Sequence, residues 1–301
     1  MISLNEEQVR GALQWPKLIS AMESALAAFS RGEVLQPVRS IITIAENERY
    51  LGLMPAVAGD VMGLKAVSFY PANEGTSVPT HLAVILLMRT DTGEPLATMD
   101  GRLITEMRTA AVSAAVTKYL MPPNASVLAL IGSGVQAGAH LEALSRVCRF
   151  QEIRVWSRTP ERAQAFARTH GAIACATAQA AVDQADVVVT VTNAQAPVLR
   201  GAWLKPGAHV NAVGANRPTW RELDDDAMAN VVVVDSREAA VQESGDVILS
   251  KAAIYAEAGE LFAGIKPPPD RGQTTVFKSL GLAIEDVATA RLVYQAFSRK
   301  S

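Results

Sequence analysis

The stretch Val127-Leu128-Ala129-Leu130-Ile131-Gly132-Ser133-Gly134-Val135-Gln136-Ala137 decides how this chain folds. An apolar, strand-forming run ends at Gly132, a second glycine follows at Gly134, and the sequence then turns helical. That is the strand–turn–helix setting in which Gly-x-Gly-x-x-Ala becomes a dinucleotide-binding candidate. Gly132 would take the tight turn, Gly134 would let the backbone approach a pyrophosphate, and Ala137 would keep helix and strand close. The helix N-terminus offers free N–H groups and partial positive charge to the phosphates. Alone, such a glycine pair is a weak signal, and its surroundings have to make it specific.

Downstream, apolar runs alternate with helical ones: strand 127–131, helix 135–148, strand 153–156, helix 160–170, a short strand near 172–175 and helix 177–184. Strands at 186–191, 208–213 and 231–235 follow. This alternation predicts an α/β Rossmann domain, a doubly wound parallel sheet. Upstream, Val9, Leu13, Leu18, Met22 and Leu26 lie at helical spacing and predict one helix over 6–29 that closes near Gly32. Segments rich in Val, Ile and Leu at 39–44, 50–54, 63–68, 81–88 and 96–100 predict an antiparallel sheet, with Asp91-Thr92-Gly93 as a hairpin turn. Residues 102–119 read as a helix stopped at Met121-Pro122-Pro123, and 274–301 as a helix beginning near Thr275. The expected domains are an α+β substrate-binding and dimerisation domain (1–121 with 280–301) and a Rossmann NAD(P)-binding domain (122–279).

With 301 residues, 49% of them hydrophobic and 19% charged, the chain can bury substantial cores. A net charge of −2 gives no electrostatic reason to expect nucleic acid or an anionic membrane as partner. No apolar run approaches the roughly 20 residues needed to span a bilayer. The two cysteines, Cys148 and Cys175, have neither metal-ligand nor redox spacing, so no metal is expected. Few thiols and no signal peptide point to the cytoplasm.

In a Rossmann domain an acidic residue closing the second strand favours NAD, whereas an arginine there suits the 2′-phosphate of NADP. Here Ile153-Arg154-Val155-Trp156 closes with Ser157-Arg158-Thr159, and Arg162 follows one helical turn later. The guanidinium of Arg158 and the two hydroxyls favour NADPH over NADH; a solvated loop arginine is the other account. Thr190-Val191-Thr192-Asn193 and Asn211-Ala212-Val213-Gly214-Ala215-Asn216 follow two later strands, at the strand ends where ligands bind. Turn chemistry alone explains them equally well. Upstream, Arg39, Lys65 and Arg108 lie among apolar or small residues. A cation there is costly unless it meets a protein carboxylate or a ligand anion. For each one singly, an exposed or salt-bridged side chain is the simpler account.

Taken together, the segments Gln36-Pro37-Val38-Arg39, Met99-Asp100-Gly101 and Arg108-Thr109-Ala110-Ala111-Val112-Ser113-Ala114 resemble the ornithine cyclodeaminase/μ-crystallin family. So do Lys205-Pro206-Gly207-Ala208-His209-Val210-Asn211, Arg217-Pro218-Thr219-Trp220-Arg221-Glu222-Leu223-Asp224-Asp225, Glu243-Ser244-Gly245-Asp246-Val247 and Thr274-Thr275-Val276-Phe277-Lys278-Ser279-Leu280-Gly281. The ketimine reductase branch is the nearer one. The resemblance implies that Arg39, Lys65 and Arg108 hold the substrate carboxylate. It also implies that His81, Ser133, Gln136, Ser157, Arg158, Thr159, Arg162, Thr192, Val213 and Ser279 surround the dinucleotide, and that the protein is a homodimer joined through its N-terminal sheets.

Cyclodeaminases of this family carry a catalytic aspartate where this chain has Asn216, and an acidic residue where it has Gly52. An amide has no titratable proton near neutrality. The expected activity is therefore NAD(P)H-dependent reduction of a cyclic ketimine carboxylate, Δ1-pyrroline-2-carboxylate or Δ1-piperideine-2-carboxylate, to proline or pipecolate. Lys65 is the expected proton donor, with His81 as second choice; an ordinary strand histidine is the other account of His81. The alternatives are an ornithine or lysine cyclodeaminase, an L-amino acid dehydrogenase, or a non-catalytic binder of a thyroid-hormone-like ligand.

Overall fold

The computed structural model describes residues 1–45 and 49–298. The chain divides into two compact units, Met1–Arg108 with Leu282–Ser301, and Thr109–Gly281. The first of these divisions falls within the continuous helix Gly101–Leu120, ahead of the Pro122-Pro123 break.

The first unit holds seven strands: β1 (Ile2–Leu4), β2 (Val34–Leu35), β3 (Ser40–Ala45), β4 (Arg49–Ala58), β5 (Val61–Phe69), β6 (His81–Arg89) and β7 (Pro95–Asp100). Their order is β1-β7-β6-β5-β4-β2, with β3 also pairing β4. Neighbours are antiparallel except β1, which runs parallel to β7. Gly93 takes φ +71° in the turn between β6 and β7, where the Asp-Thr-Gly signal lies. The helix Ala283–Ser298 packs on β4, β5 and β6. Gly63 on β5 permits that approach, since a Cβ there would sit 2.8 Å from the Leu86 carbonyl and 3.0 Å from Val287.

One expectation here needs correction. The single helix over 6–29 is two helices, Glu6–Ala12 and Trp15–Ser30. Pro16 has no N–H and its ring collides with a preceding helical turn, so it can begin a helix and cannot sit inside one. Asn5 starts the first helix in a reciprocal capping box with Gln8. Gly32 follows the second at φ +74°.

The second unit is an eight-stranded, wholly parallel sheet: β8 (Val127–Ile131), β9 (Glu152–Trp156), β10 (Ile173–Ala174), β11 (Val187–Thr190), β12 (His209–Ala212), β13 (Val231–Val234), β14 (Ile254–Glu257) and β15 (Thr275–Lys278). The order is β10-β9-β8-β11-β12-β15-β13-β14. Its first five positions follow the dinucleotide-binding order, with the topological switch between β8 and β11. The central strands are buried end to end, as parallel strands covered on both faces must be.

The helix expected to begin near Thr275 is overturned. Residues Thr275–Lys278 form β15, inserted between β12 and β13, and the helix starts at Ala283. A four-residue apolar run is too short for periodicity to separate strand from helix. Strand β14 was equally invisible. Residues 299–301 of the expected helical segment lie outside the described residues. Among the described residues no helix is long and apolar enough to cross a membrane, and no group of three or more His, Cys, Asp or Glu could hold a metal.

Candidate active site

Parallel strands carry the loops that follow them to one edge of a sheet. Gly132, Ser133, Gly134, Val135 and Gln136 follow β8; Ser157, Arg158, Thr159 and Arg162 follow β9; Thr192 and Asn193 follow β11; Val213 and Asn216 follow β12; Ser279 follows β15. The sheet thus brings these residues to its carboxyl edge; His81, also expected at the dinucleotide, begins β6 of the first unit instead.

The local geometry there suits a pyrophosphate. Gly132 sits at φ +120°, its N–H donates to the Trp156 carbonyl at 2.8 Å, and a Cβ would meet the Val191 carbonyl at 2.8 Å. Gly134 opens helix Val135–Leu144 with no side-chain cap, and a Cβ on it would meet nothing within 4 Å. The helix N-terminus is therefore open to an anion. Ala137 is fully buried against the sheet. Gln136 Oε1 and Ser279 Oγ are buried and have no hydrogen-bond partner among the described residues, as groups awaiting a ligand would be. A cleft of about 390 Å³ runs from Ser133, Gly134 and Gly138 to Arg162, Phe166 and His170. Arg158 and Thr159 are exposed beside it, and no carboxylate closes β9. These residues fit a nicotinamide dinucleotide.

In the first unit, Lys65 shares a face of β5 with Gly63, toward helix Ala283–Ser298. Its Nζ lies 2.6 Å from Asp286 Oδ2 and donates to Thr105 Oγ1 at 3.4 Å. Arg108, one turn beyond Thr105 on helix Gly101–Leu120, donates from Nε to Asp286 Oδ1 at 3.0 Å and from Nη1 to Glu285 Oε2 at 2.6 Å. Asp286 thus gives one oxygen to each cation. Both cations are almost wholly buried, and the simpler of the two accounts, pairing with protein carboxylates, holds for them. Burial pushes the Lys65 ammonium down to about 8, with Arg108 and Arg39 adding repulsion and Asp286 opposing it. The charge of half-buried Arg39 therefore also reaches Lys65.

His81 begins β6, with its ring centroid 4.5 Å from that of Phe69. Part of the residue faces solvent, yet the protein packed around the imidazole and the Lys65 charge push it down to about 4. Near neutrality the imidazole is therefore uncharged, which makes it a weaker proton source than the Lys65 ammonium.

Sequence reasoning missed Glu285 and Asp286, which lie 177 and 178 residues beyond Arg108. It also missed a buried cluster of Glu222, Asp246 and Lys278 in the second unit. The signal for Lys278 was present, a lysine in an apolar strand, but its segment had been read as helix.

The whole chain, residues 1–301, matches the model of the ornithine cyclodeaminase/mu-crystallin family. It is 50% identical to the ketimine reductase mu-crystallin of Mus musculus, over 98% of this chain and 97% of that one. Identity is 36% to a Delta(1)-pyrroline-2-carboxylate reductase of Bacillus cereus, over 98% and 95% of the two chains. Among solved structures, Thermococcus litoralis Delta(1)-pyrroline-2-carboxylate reductase in complex with NADH and L-proline is similar at a TM-score of 0.94 and 33% identity, covering 100% of this chain and 98% of that one. Because the likeness runs from end to end in both sequence and fold, the chain belongs to the ornithine cyclodeaminase/mu-crystallin family.

Proposed function

We propose that this protein is an NAD(P)H-dependent ketimine reductase, which reduces the C=N bond of a small cyclic imine carboxylate such as Δ1-pyrroline-2-carboxylate or Δ1-piperideine-2-carboxylate. The observation that carries this reading is the buried cluster of Lys65 and Arg108 against Glu285 and Asp286, with the charge of half-buried Arg39 also acting on Lys65. Similarity to the ketimine reductase mu-crystallin of Mus musculus and to the Delta(1)-pyrroline-2-carboxylate reductases of Bacillus cereus and Thermococcus litoralis supports it.

The division of labour follows from the side chains. Arg39 and Arg108 hold the substrate carboxylate and fix the ring's orientation. A reduced nicotinamide dinucleotide, when bound, supplies the hydride. As the imine carbon gains hydride, the C=N π electrons move to nitrogen, which takes a proton from Lys65 Nζ. Lys65 is left as the neutral amine and regains its proton from solvent. A lysine held at about 8 is protonated at neutral pH and gives up its proton more readily than an exposed one. Asn216, exposed after β12, offers no acid or base for ammonia loss, which disfavours a cyclodeaminase. In the second unit Arg158, Ser157, Thr159 and Arg162 supply donors for a 2′-phosphate, so NADPH is the preferred cofactor.

A homodimer completes the proposal. On the face of the first sheet opposite helix Ala283–Ser298, Ile42, Leu51 and Leu82 lie in one cross-strand row, and Leu53 and Val84 in the next. Val84 is 56% exposed and Ile42 52% exposed. With Ser68 and Ser40 as the polar members of these rows, a mostly apolar exposed sheet face of this kind calls for a covering surface. The deciding assay is NADPH oxidation with Δ1-pyrroline-2-carboxylate. Turnover with proline as product is expected. Background rates, or ammonia released from ornithine with NAD+ instead, would sink the reductase reading.

A further inference from the structure

Four donors converge on one buried carboxylate in the second unit. Oε1 of Glu222 accepts from the Thr192 N–H at 2.7 Å and the Thr192 hydroxyl at 2.6 Å. Oε2 accepts from the Thr190 hydroxyl at 2.7 Å and the Gly214 N–H at 2.8 Å. Two of these donors are backbone N–H groups, which can only donate, so each oxygen is held as an acceptor by at least one fixed donor. Burial and the nearby Asp246 charge push this acid up, more than the Lys278 charge and the threonine hydrogen bonds pull it down.

The donors come from different elements. Thr190 closes β11 and Thr192 lies in the loop after it, whereas Gly214 lies in the loop after β12. Glu222 is itself anchored. Its N–H and that of Leu223 donate to Asp246 Oδ1 at 2.8 and 2.9 Å, and Asp246 Oδ2 pairs with Lys278 Nζ at 3.0 Å. Lys278 in turn donates to the Gly214 carbonyl. The fit admits no side chain at its two glycines. A Cβ on Gly214 would lie 2.0 Å from the Thr192 carbonyl, and one on Gly245 2.0 Å from the Trp220 carbonyl.

We propose that Glu222 is a positioning residue for the dinucleotide: it clasps the loops after β11 and β12 into one preformed edge that receives the nicotinamide half. This rests on the reading of the second unit as a dinucleotide site. Glu222 is fully buried and acts through Thr192 and Gly214. Loops already ordered do not have to be ordered when the ligand arrives, and that saving appears as affinity.

Asp186 provides the control. It also caps backbone with a carboxylate, but at the amino ends of β8 and β11. Its Oδ2 accepts from the Ser126 and Val127 N–H groups at 2.8 and 2.9 Å, and its Oδ1 pairs with Lys205 at 2.5 Å. In the full-length protein, Glu222→Gln and Asp186→Asn should both lower Tm. Glu222→Gln should also raise the Kd for NADPH by about tenfold or more, while Asp186→Asn stays within about twofold of wild type. A rise below about threefold in Glu222→Gln, or an equal rise in Asp186→Asn, overturns the clasp.

Should Glu222→Gln fail to fold, amide hydrogen exchange of the wild type decides. The Thr192 and Gly214 amides should be protected to the level of β11 before NADPH is added. Exchange at open-loop rates in the free protein, with protection only after NADPH, overturns the proposal. A wild type that binds neither NADPH nor NADH would overturn the dinucleotide reading itself, and the clasp with it.

Discussion

Lys65 and His81 are the two titratable side chains expected to reach an imine nitrogen, and their surroundings separate them. Below about pH 8 Lys65 carries its proton; above it the donor is lost. The rate of imine reduction should therefore be level through neutrality and fall as pH rises through about 8. Lys65→Met should lower kcat by about 100-fold, near 2.7 kcal/mol in barrier; survival within about tenfold would show that the proton comes from elsewhere. Arg158→Ala should weaken NADPH by about tenfold and NADH by much less, since only the former carries the 2′-phosphate. Equal weakening in paired titrations would remove the NADPH preference. At this scale the sequence exposed the odd cations and concealed their partners. Lys65 and Arg108 stand out because apolar neighbours make a charge conspicuous, but nothing local marks Glu285 and Asp286 as their counterions.

Helix Ala283–Ser298 is the element that makes the cation cluster possible. Gly63 lets it lie close on β5, and its first turn then delivers Glu285 and Asp286 to Arg108 and Lys65. Asp286→Asn leaves two buried cations sharing what remains of the negative charge. The expected loss is about 3–5 kcal/mol of stability, read by urea unfolding. Asp286 also raises the Lys65 pKa, so in whatever fraction stays folded the alkaline fall in rate should move to lower pH. An unchanged midpoint and an unchanged pH profile would show that Asp286 supports neither. Elements with a long period were legible. The helices over 102–119 and 160–170 stand within one residue of their observed bounds, Gly101–Leu120 and Pro160–His170. Four-residue β14 and β15 were not legible, because a single buried turn of helix and a short buried strand look alike in sequence.

Over the whole molecule, the apolar outer face of the first sheet carries the expectation of a dimer. Val84→Glu places a charge in the middle of that face and should convert a dimer to a monomer in light scattering, with Tm falling as the interface is lost. A wild type that runs as a monomer at micromolar concentration would remove the proposal. The order of the parallel sheet was only partly legible. Alternation and the glycine turn point to a doubly wound sheet, but not to a last strand inserted between β12 and β13. That insertion brings Ser279 to the cofactor edge and Lys278 to Asp246.

The sequence by itself determined the glycine turn, the absence of a carboxylate after β9, the parallel class of the sheet and the three conspicuous cations. Each is written in neighbouring residues: local conformation, periodicity and the cost of a charge among apolar side chains act over a few positions. Only the tertiary structure decided which carboxylates answer those cations, that His81 is held neutral, and that Glu222 joins two strand ends. These depend on burial and on partners far along the chain, and neither exists until the elements have packed.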